Sequence, residues 1–227
     1  MIYNPWKNYK LRFPFNGSEI IDNSYSQSWQ DIFVITLLKG QQNGTYLEIG
    51  ANAPQLANNT FLLSSKFNWN GVSIDCLDLR EEWKTTRPIN QFIYTDAISI
   101  DYTALLANSY TSNVIDYCQL DIDTGENILN ILKKLPTNYK FKIITLETDE
   151  YTGRYTNVIK ETREFLSNAG YQLLIKDVKV LWNGRWESYE DWWIHPDYVD
   201  LTLAAKIKNV AEKTNSMADQ FLFEQLI

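Results

Sequence analysis

The sequence predicts a doubly wound α/β domain, in which a mostly parallel sheet carries helices on both faces. Three observations support this class: apolar runs alternate with turn residues from about 30 to 195, no Pro-, Gly- or Ser-rich linker interrupts them, and several predicted strands end at a carboxylate. With 227 residues, 44% of them hydrophobic, the chain is long enough for one large core. We expect an N-terminal arm over 1–29, the α/β domain over 30–200 and a C-terminal helical extension of the same domain over 201–227.

The elements follow from the spacing of apolar residues. A mostly apolar segment over 30–39, closed by a glycine, predicts a helix; the β-rich run 45–49 predicts a strand, and 59–67 a second helix. Short β-branched or aromatic runs predict strands at 71–74, 92–94, 117–122 and 141–146, and amphipathic spacing predicts helices at 126–134 and 158–169. Runs at 171–175 and 191–194 predict an antiparallel closing hairpin, which gives a Rossmann-like sheet of about seven strands.

Composition narrows the class of partner. A formal net charge of -7 opposes nucleic acids and anionic membrane surfaces, so we expect neither as a partner and favour a small-molecule or sugar ligand. Cys76 and Cys118 are too few for a disulfide framework or a thiolate metal site, and one lies within each of two apolar runs that predict buried strands, so we expect reduced, packed thiols. The N-terminal sequence lacks a continuous apolar stretch, so we expect a cytoplasmic protein.

The strongest local feature is the strand end Leu47-Glu48-Ile49-Gly50-Ala51-Asn52-Ala53-Pro54. Dinucleotide sites need several glycines because a pyrophosphate must approach the backbone closely, whereas this turn has one. S-adenosylmethionine has no phosphate, so a single glycine suffices for it to lie across the strand end. The motif therefore favours S-adenosylmethionine over NAD, although Gly50 also fits a simple strand terminator and Glu48 a solvated side chain.

Two further acids end the next predicted strands. Asp75 follows Gly50 by 25 residues, which suits a carboxylate that accepts both ribose hydroxyl protons. Asp96, followed by Ala97, ends the third strand and can accept a hydrogen bond from the adenine amino group. A surface acid at a strand end is common, but three in this order indicate a nucleoside-binding edge.

An ordered set of segments resembles the FkbM-like methyltransferases over roughly 26–195. It consists of Ser26-Gln27, Gln30-Asp31-Ile32-Phe33, Tyr46 to Asn52, Asn59-Thr60, Trp69 to Asp75, Thr95-Asp96-Ala97 and Ile115 to Glu126. The chain departs from the family pattern where Gln119 replaces a lysine, Asp123 replaces a glutamate and Thr124 is an extra residue before Gly125. The resemblance implies a class I, Rossmann-like O-methyltransferase. We expect its cofactor site to comprise Gln27, Glu48, Gly50, Ala51, Asn52, Asp75, Asp96, Ala97 and Asp121.

Carboxylates predict the reactive centre. Asp121 and Asp123 follow the fourth strand and Glu147 and Asp149 the fifth, so their oxygens can converge beside the methyl group. Asp121, Glu147 and Asp149 form a candidate Mg²⁺ site that would orient an acceptor hydroxyl. The alternative is that one or two of these acids bind cofactor or substrate and the others are solvated or cap helices.

The single histidine, His195, is a candidate general base together with Asp121, since an ordinary imidazole pKa lies near neutrality. An equally good interpretation is a structural histidine fixed by Asp197 or by backbone. The adjacent Trp192 and Trp193 must point to opposite faces of a strand, so at most one can face the site.

These patterns predict methylation of a hydroxyl on a sugar or small metabolite. Two other functions remain open: a nicotinamide-dependent oxidoreductase on the same fold, and a cofactor-binding module without turnover. The sequence also leaves open whether the arm caps the cofactor pocket through Gln27 or forms the contact of a homodimer.

Overall fold

The computed structural model describes residues 9–225. Its main sheet has seven strands in the order β4-β3-β2-β5-β6-β8-β7, and all neighbours are parallel except those of β8, which runs antiparallel to β6 and β7. This arrangement confirms the predicted α/β class and its antiparallel closing hairpin. The first eight residues of the predicted arm and the last two of the predicted extension lie outside the described residues.

The helices and strands alternate through most of the chain. In order they are β1 (Tyr9–Leu11), α1 (Gln30–Leu37), β2 (Thr45–Ile49), α2 (Phe61–Phe67), β3 (Asn70–Asp75), α3 (Arg80–Thr86), β4 (Gln91–Tyr94), α4 (Tyr102–Ser109), β5 (Val114–Leu120), α5 (Gly125–Lys134), β6 (Lys140–Glu147), α6 (Thr156–Asn168), β7 (Gln172–Trp182), β8 (Arg185–Ile194), α7 (Leu201–Lys213), α8 (Ala218–Leu222) and β9 (Phe223–Gln225).

Side chains alternate between the two faces of the sheet and build two separate cores. Tyr46 of β2 and Trp192 of β8 lie in the first core, together with residues of α1, α2, α7 and α8. We call the side of the sheet that these helices cover the α1 face. Leu47 and Trp193, their neighbours in sequence, lie in the second core with α4, α5 and α6. The two tryptophans therefore point to opposite faces, as strand geometry predicts.

The ends of the chain differ most from the sequence prediction. The arm contributes β1, which pairs antiparallel with β9 in a second, two-stranded sheet. Arg12 strengthens this pairing, because its Nη2 donates to the carbonyl oxygen of Phe223 at 2.8 Å. The strand β9, α3 and α4 were not predicted, and the β7–β8 hairpin is much longer than the two short strands expected.

Two further observations concern the exposure of the cysteines and the length and polarity of the helices. Cys118 is buried within β5, but Cys76 is exposed, because β3 ends one residue earlier; the expectation that both thiols are packed is wrong for Cys76. Within residues 9–225, the helices are too short or too polar for any of them to cross a bilayer.

Candidate active site at the carboxyl edge of the sheet

The glycine turn after β2 lies directly against the end of β5. The amides of Gly50 and Ala51 both donate to the carbonyl oxygen of Ile74, at 2.9 and 3.0 Å, and the amide of Asp121 donates to Ile49 at 2.9 Å. A Cβ on Gly50 would stand 1.6 Å from the carbonyl oxygen of Asp121, and Gly50 has a φ of 81°. Glycine is therefore required here on two counts, and the turn brings two predicted site residues into contact.

Asp75 organises the loop that follows this turn. One of its carboxylate oxygens accepts from the amide of Asn52 at 2.7 Å and the other from the amide of Leu77 at 2.8 Å. The indole of Trp83 donates to the carbonyl oxygen of Asn52 at 2.9 Å. A carboxylate has about four acceptor positions, so Asp75 retains capacity for ligand hydroxyls after both contacts.

Asp96 and Ala97 lie beside Asp75 at the end of β4. The amide of Thr95 donates to the carbonyl oxygen of Asp75 at 2.9 Å, which fixes the two strand ends together. The side chain of Asp96 is exposed and accepts from the amide of Ile98 at 2.9 Å, while Ala97 is buried. The three predicted acids at 48, 75 and 96 thus lie at or near the ends of neighbouring strands, but Glu48 and Asp75 are buried whereas Asp96 is exposed.

Glu48 points into the protein on the α1 face. Its Oε2 accepts from Thr60 at 2.9 Å and from Ser73 at 2.7 Å, and its Oε1 has no partner within residues 9–225. Burial raises the pKa of this carboxyl, and the nearby Arg87 guanidinium partly offsets the effect. Glu48 is thus not the solvated acid of the alternative interpretation.

Asp121, Glu147 and Tyr189 meet at the ends of β5, β6 and within β8. The carboxyl groups of Asp121 and Glu147 are hydrogen-bonded to each other. Burial raises the pKa of both, and charge repulsion raises it further, from Asp149 at Asp121 and from Asp121 at Glu147. The Tyr189 hydroxyl donates to Gln27 Oε1 at 2.9 Å and lies 3.5 Å from Asp121 Oδ2. Two half-buried carboxyls this close share a proton, and the arm residue Gln27 reaches the same place.

This arrangement does not fit the predicted Mg²⁺ site. Within the described part of the chain, no group of three or more His, Cys, Asp or Glu side chains is arranged to hold a metal ion. The carboxyl groups of Asp121 and Glu147 are hydrogen-bonded to each other instead. The charge of the half-buried Asp149 raises the pKa of both, but Asp149 is not hydrogen-bonded to either. Mg²⁺ would need open carboxylate oxygens at short distance, so we derive no step through a metal.

His195 lies at the other edge of the sheet. Because β8 is antiparallel to β6, its last residues return to the start of β6, where the His195 amide donates to the carbonyl oxygen of Lys142 at 2.9 Å. Glu147 lies five residues after Lys142 on β6, which corresponds to about 17 Å along the strand. The structure does not bring His195 to Asp121, and we correct its assignment as a base: it is held between Tyr171 and Tyr198, with its pKa lowered by burial.

Tyr189 is the site residue that the sequence analysis missed. It lies in a polar run of β8 that has no recognisable motif. The only feature of the sequence that could have indicated it is the predicted hairpin, because a strand that returns antiparallel beside β6 must place one of its residues opposite the end of β6. The prediction placed that strand at 191–194, two residues too late to include it. Trp83, which fixes the loop after Gly50, was missed because α3 was not predicted.

Comparisons with known proteins agree with the fold. No family model matches the chain, and no curated protein matches it. Among solved structures, an O-methyltransferase from Bacillus cereus in complex with SAH has a TM-score of 0.51 at 11% identity, over 79% of this chain and 86% of that chain. M. capricolum TrmK, in complex with S-adenosyl-homocysteine, has a TM-score of 0.48 at 11% identity, over 82% and 87% of the two chains.

At this level of identity the likeness to the Bacillus cereus protein shows the fold. The chain has the Rossmann-like fold of class I methyltransferases, with the seven-stranded sheet described above. Membership of the FkbM-like family is not shown by these comparisons and stays a prediction from the sequence motifs.

Proposed function

We propose that the protein is an S-adenosylmethionine-dependent methyltransferase that acts on a hydroxyl group of a sugar or small metabolite. The observation that carries the proposal is the glycine turn at Gly50, which sits on Asp121 and is tied through Asn52 to Asp75. This places a single-glycine turn and an acid with free acceptor capacity at the carboxyl edge, where open α/β sheets bind ligands.

The residues around the turn fit the parts of the cofactor. Asp75 has acceptor capacity for the ribose hydroxyls, and the exposed Asp96 with Ala97 lies next to it for the adenine. Gln27, held by Tyr189, and the backbone of Ala51 and Asn52 lie toward the methionine end. When bound, the cofactor supplies an electrophilic methyl group on its sulfonium.

Asp121 is the residue we place beside the reacting hydroxyl. In the transfer, the acceptor oxygen would bond to the methyl carbon as the carbon–sulfur bond breaks with its electron pair left on sulfur, and the Asp121 carboxylate would take the hydroxyl proton. A carboxyl whose pKa is raised accepts a proton more readily than an ordinary one. Glu147 holds Asp121 in place by a hydrogen bond rather than reacting itself, and the Tyr189 hydroxyl lies beside Asp121 while it donates to Gln27.

The test is calorimetric titration with S-adenosylhomocysteine. We expect wild-type protein to bind with a dissociation constant near the micromolar range, about -8 kcal/mol, and Asp75→Ala to lose at least about tenfold in affinity, or about 1.4 kcal/mol. Asp197→Ala is the matched control, since it removes the same charge from an exposed position near His195, at the opposite edge.

The outcome separates the alternative functions. Binding to wild type and Asp197→Ala but not to Asp75→Ala supports the proposed site and justifies a screen of hydroxyl acceptors by transfer of labelled methyl groups. Absence of binding to folded wild-type protein would overturn the proposal, and titration with NAD would then test the oxidoreductase alternative.

A further inference from the structure

Four buried side chains on β2, on β5 or just before α1 and α2 have polar atoms without a partner among the described residues. We call Ser28, Glu48, Asn59 and Gln119 the buried polar cluster; their exposed fractions are 0%, 1%, 5% and 1%. The atoms without partners are Ser28 Oγ, Glu48 Oε1, Asn59 Oδ1, Gln119 Nε2 and Gln119 Oε1. Buried polar groups in native proteins are almost always hydrogen-bonded. Several unpaired atoms in one region indicate a partner that residues 9–225 do not supply.

Strand register places the centre of this cluster. Glu48 and Gln119 are register partners on the adjacent strands β2 and β5, about 5 Å apart. Both lie two residues beyond a tyrosine of the α1 face, Tyr46 or Tyr117, so both point toward α1 and α2. The unpaired amide of Gln119 and the unpaired oxygen of Glu48 therefore belong to neighbouring side chains on the same face of the sheet.

The other two residues of the cluster lie in the segments just before α1 and α2. Asn59 precedes Thr60, which donates to Glu48 Oε2 at 2.9 Å. Ser28 is held by the side chain of Gln30, whose Oε1 accepts from the Ser28 amide at 2.8 Å and whose Nε2 donates to Glu190 on β8. Glu48 and Gln119 thus lie one row behind the carboxyl edge, where Asp121 follows β5 and Glu147 ends the neighbouring strand β6.

The chemistry of the unpaired atoms defines what they bind. Three of the five atoms are acceptors only, one is a hydroxyl and one is an amide donor. The nearest cation, Arg87, is already engaged, since it donates to Asn58, Thr60 and Tyr46. The partner must therefore be rich in hydrogen-bond donors, and the acids Glu48 and Asp121 favour one that carries positive charge.

We propose that the buried polar cluster is the acceptor subsite and that it binds the protonated primary amine of an amino sugar, next to the hydroxyl that is methylated. This inference rests on the proposed function for the methylation step only. An ammonium group offers three donors and no acceptor, which matches the number of unpaired acceptor atoms, Glu48 Oε1, Asn59 Oδ1 and Gln119 Oε1. An anionic sugar would meet carboxylates without a cation and is excluded.

The test uses nuclear magnetic resonance of the Gln119 side-chain amide in protein loaded with S-adenosylhomocysteine. The Gln119 signal is assigned by its loss in Gln119→Leu, and glucosamine, glucose and glucuronate are titrated at matched concentrations. We expect saturable shifts with glucosamine at about tenfold higher affinity than with glucose, because hydrogen bonds to a charged group are stronger than neutral ones, and none with glucuronate. Gln91→Leu, an exposed glutamine of β4, is the matched control and should leave glucosamine binding unchanged.

Other outcomes overturn the proposal. Equal affinity for glucosamine and glucose contradicts the ammonium assignment, and absence of any saturable shift means that the cluster holds water only. The titration is repeated without S-adenosylhomocysteine, whose own binding is measured separately. Glucosamine shifts in a protein that does not bind S-adenosylhomocysteine would keep the subsite and overturn the methyltransferase, whereas the reverse pattern would overturn the subsite alone.

Discussion

At the scale of single residues, the contact between Gly50 and Asp121 joins fold and site. We expect Gly50→Ala to destabilise the protein by more than the roughly 1–2 kcal/mol of a left-handed backbone alone, because the new Cβ would collide with the Asp121 carbonyl. Gly17→Ala is the matched control: Gly17 has a φ of 93°, and no atom of the described residues lies within 4 Å of the position that its new methyl group would take. Urea unfolding measures both, and equal losses would contradict the steric argument.

The shared proton of Asp121 and Glu147 predicts a pH effect on stability. Because the folded-state pKa of Glu147 is raised by burial and by the Asp121 charge, the folded protein keeps a proton that the unfolded chain loses above about pH 4.3. The contribution of the pair to the free energy of unfolding therefore falls as pH rises from about 4.3 to the raised pKa of Glu147, about 10. Glu147→Gln keeps the neutral form, so we expect its stability relative to wild type to increase from about pH 5 to about pH 9. Urea unfolding at several pH values tests this, and parallel curves would refute it.

At the scale of elements, Arg163 on α6 fixes the closing hairpin. Its guanidinium donates to both oxygens of Asp191 on β8, at 2.7 and 3.0 Å, and to Asp177 on β7 at 2.6 Å. Asp191 is 1% exposed, so removing the cation leaves a buried charge unpaired.

We expect Arg163→Met to lower the free energy of unfolding by about 3–5 kcal/mol. Lys160→Met on the same helix removes an exposed cation and should cost less than about 1 kcal/mol. The double variant Arg163→Met with Asp191→Asn should recover part of the loss, because it removes the unpaired charge as well. Chemical denaturation of the three variants measures these changes in the free energy of unfolding. No recovery in the double variant would show that Arg163 stabilises the hairpin by packing rather than by its charge.

The elements that the sequence predicted and those it missed differ in burial. Strands β2, β3, β5 and β6 are apolar runs that end at a glycine or an acid, so a local pattern suffices to find them. By contrast, α3 buries only Trp83 and α4 only Tyr102 and Leu106, too few for a helical period to stand out. The pair β1 and β9 has three residues in each strand, brought together from the two ends of the chain, and no local pattern contains that pairing.

The sequence likewise predicted only those parts of the site that follow from local patterns. Gly50, Asp75 and Asp96 follow parallel strands, and parallel strand ends meet at one edge whatever the side chains do. The positions of Tyr189 and His195 depend on the direction of β8, which is set by its pairing with β6. Residues that are close in sequence, on one antiparallel strand, thus end at opposite edges of the sheet.

At the scale of the whole molecule, the C-terminal segment belongs to the main core. Trp192 of β8 stacks on Phe33 of α1 at 4.3 Å between ring centres, and it also contacts the ring of Phe221 in α8 at 5.5 Å. Phe221 is fully buried, in the same core as Tyr46 and Ile143 of the central strands. The predicted extension over 201–227 therefore shares apolar surface with the sheet throughout its described part.

From this packing we predict that the C-terminal helices and the sheet unfold in a single transition. Phe221→Ala should lower the free energy of unfolding by about 3–5 kcal/mol, as loss of a buried phenylalanine does, whereas Leu201→Ala, at a position 49% exposed on α7, should have a small effect. Tryptophan fluorescence and far-UV circular dichroism of Phe221→Ala should give coincident curves, because a cavity beside Trp192 weakens the contact of α8 with α1 and β8 together. Two separate transitions would mean instead that the C-terminal segment detaches while the sheet stays folded, and that the α1 face, with the buried polar cluster, is stabilised independently of the end of the chain.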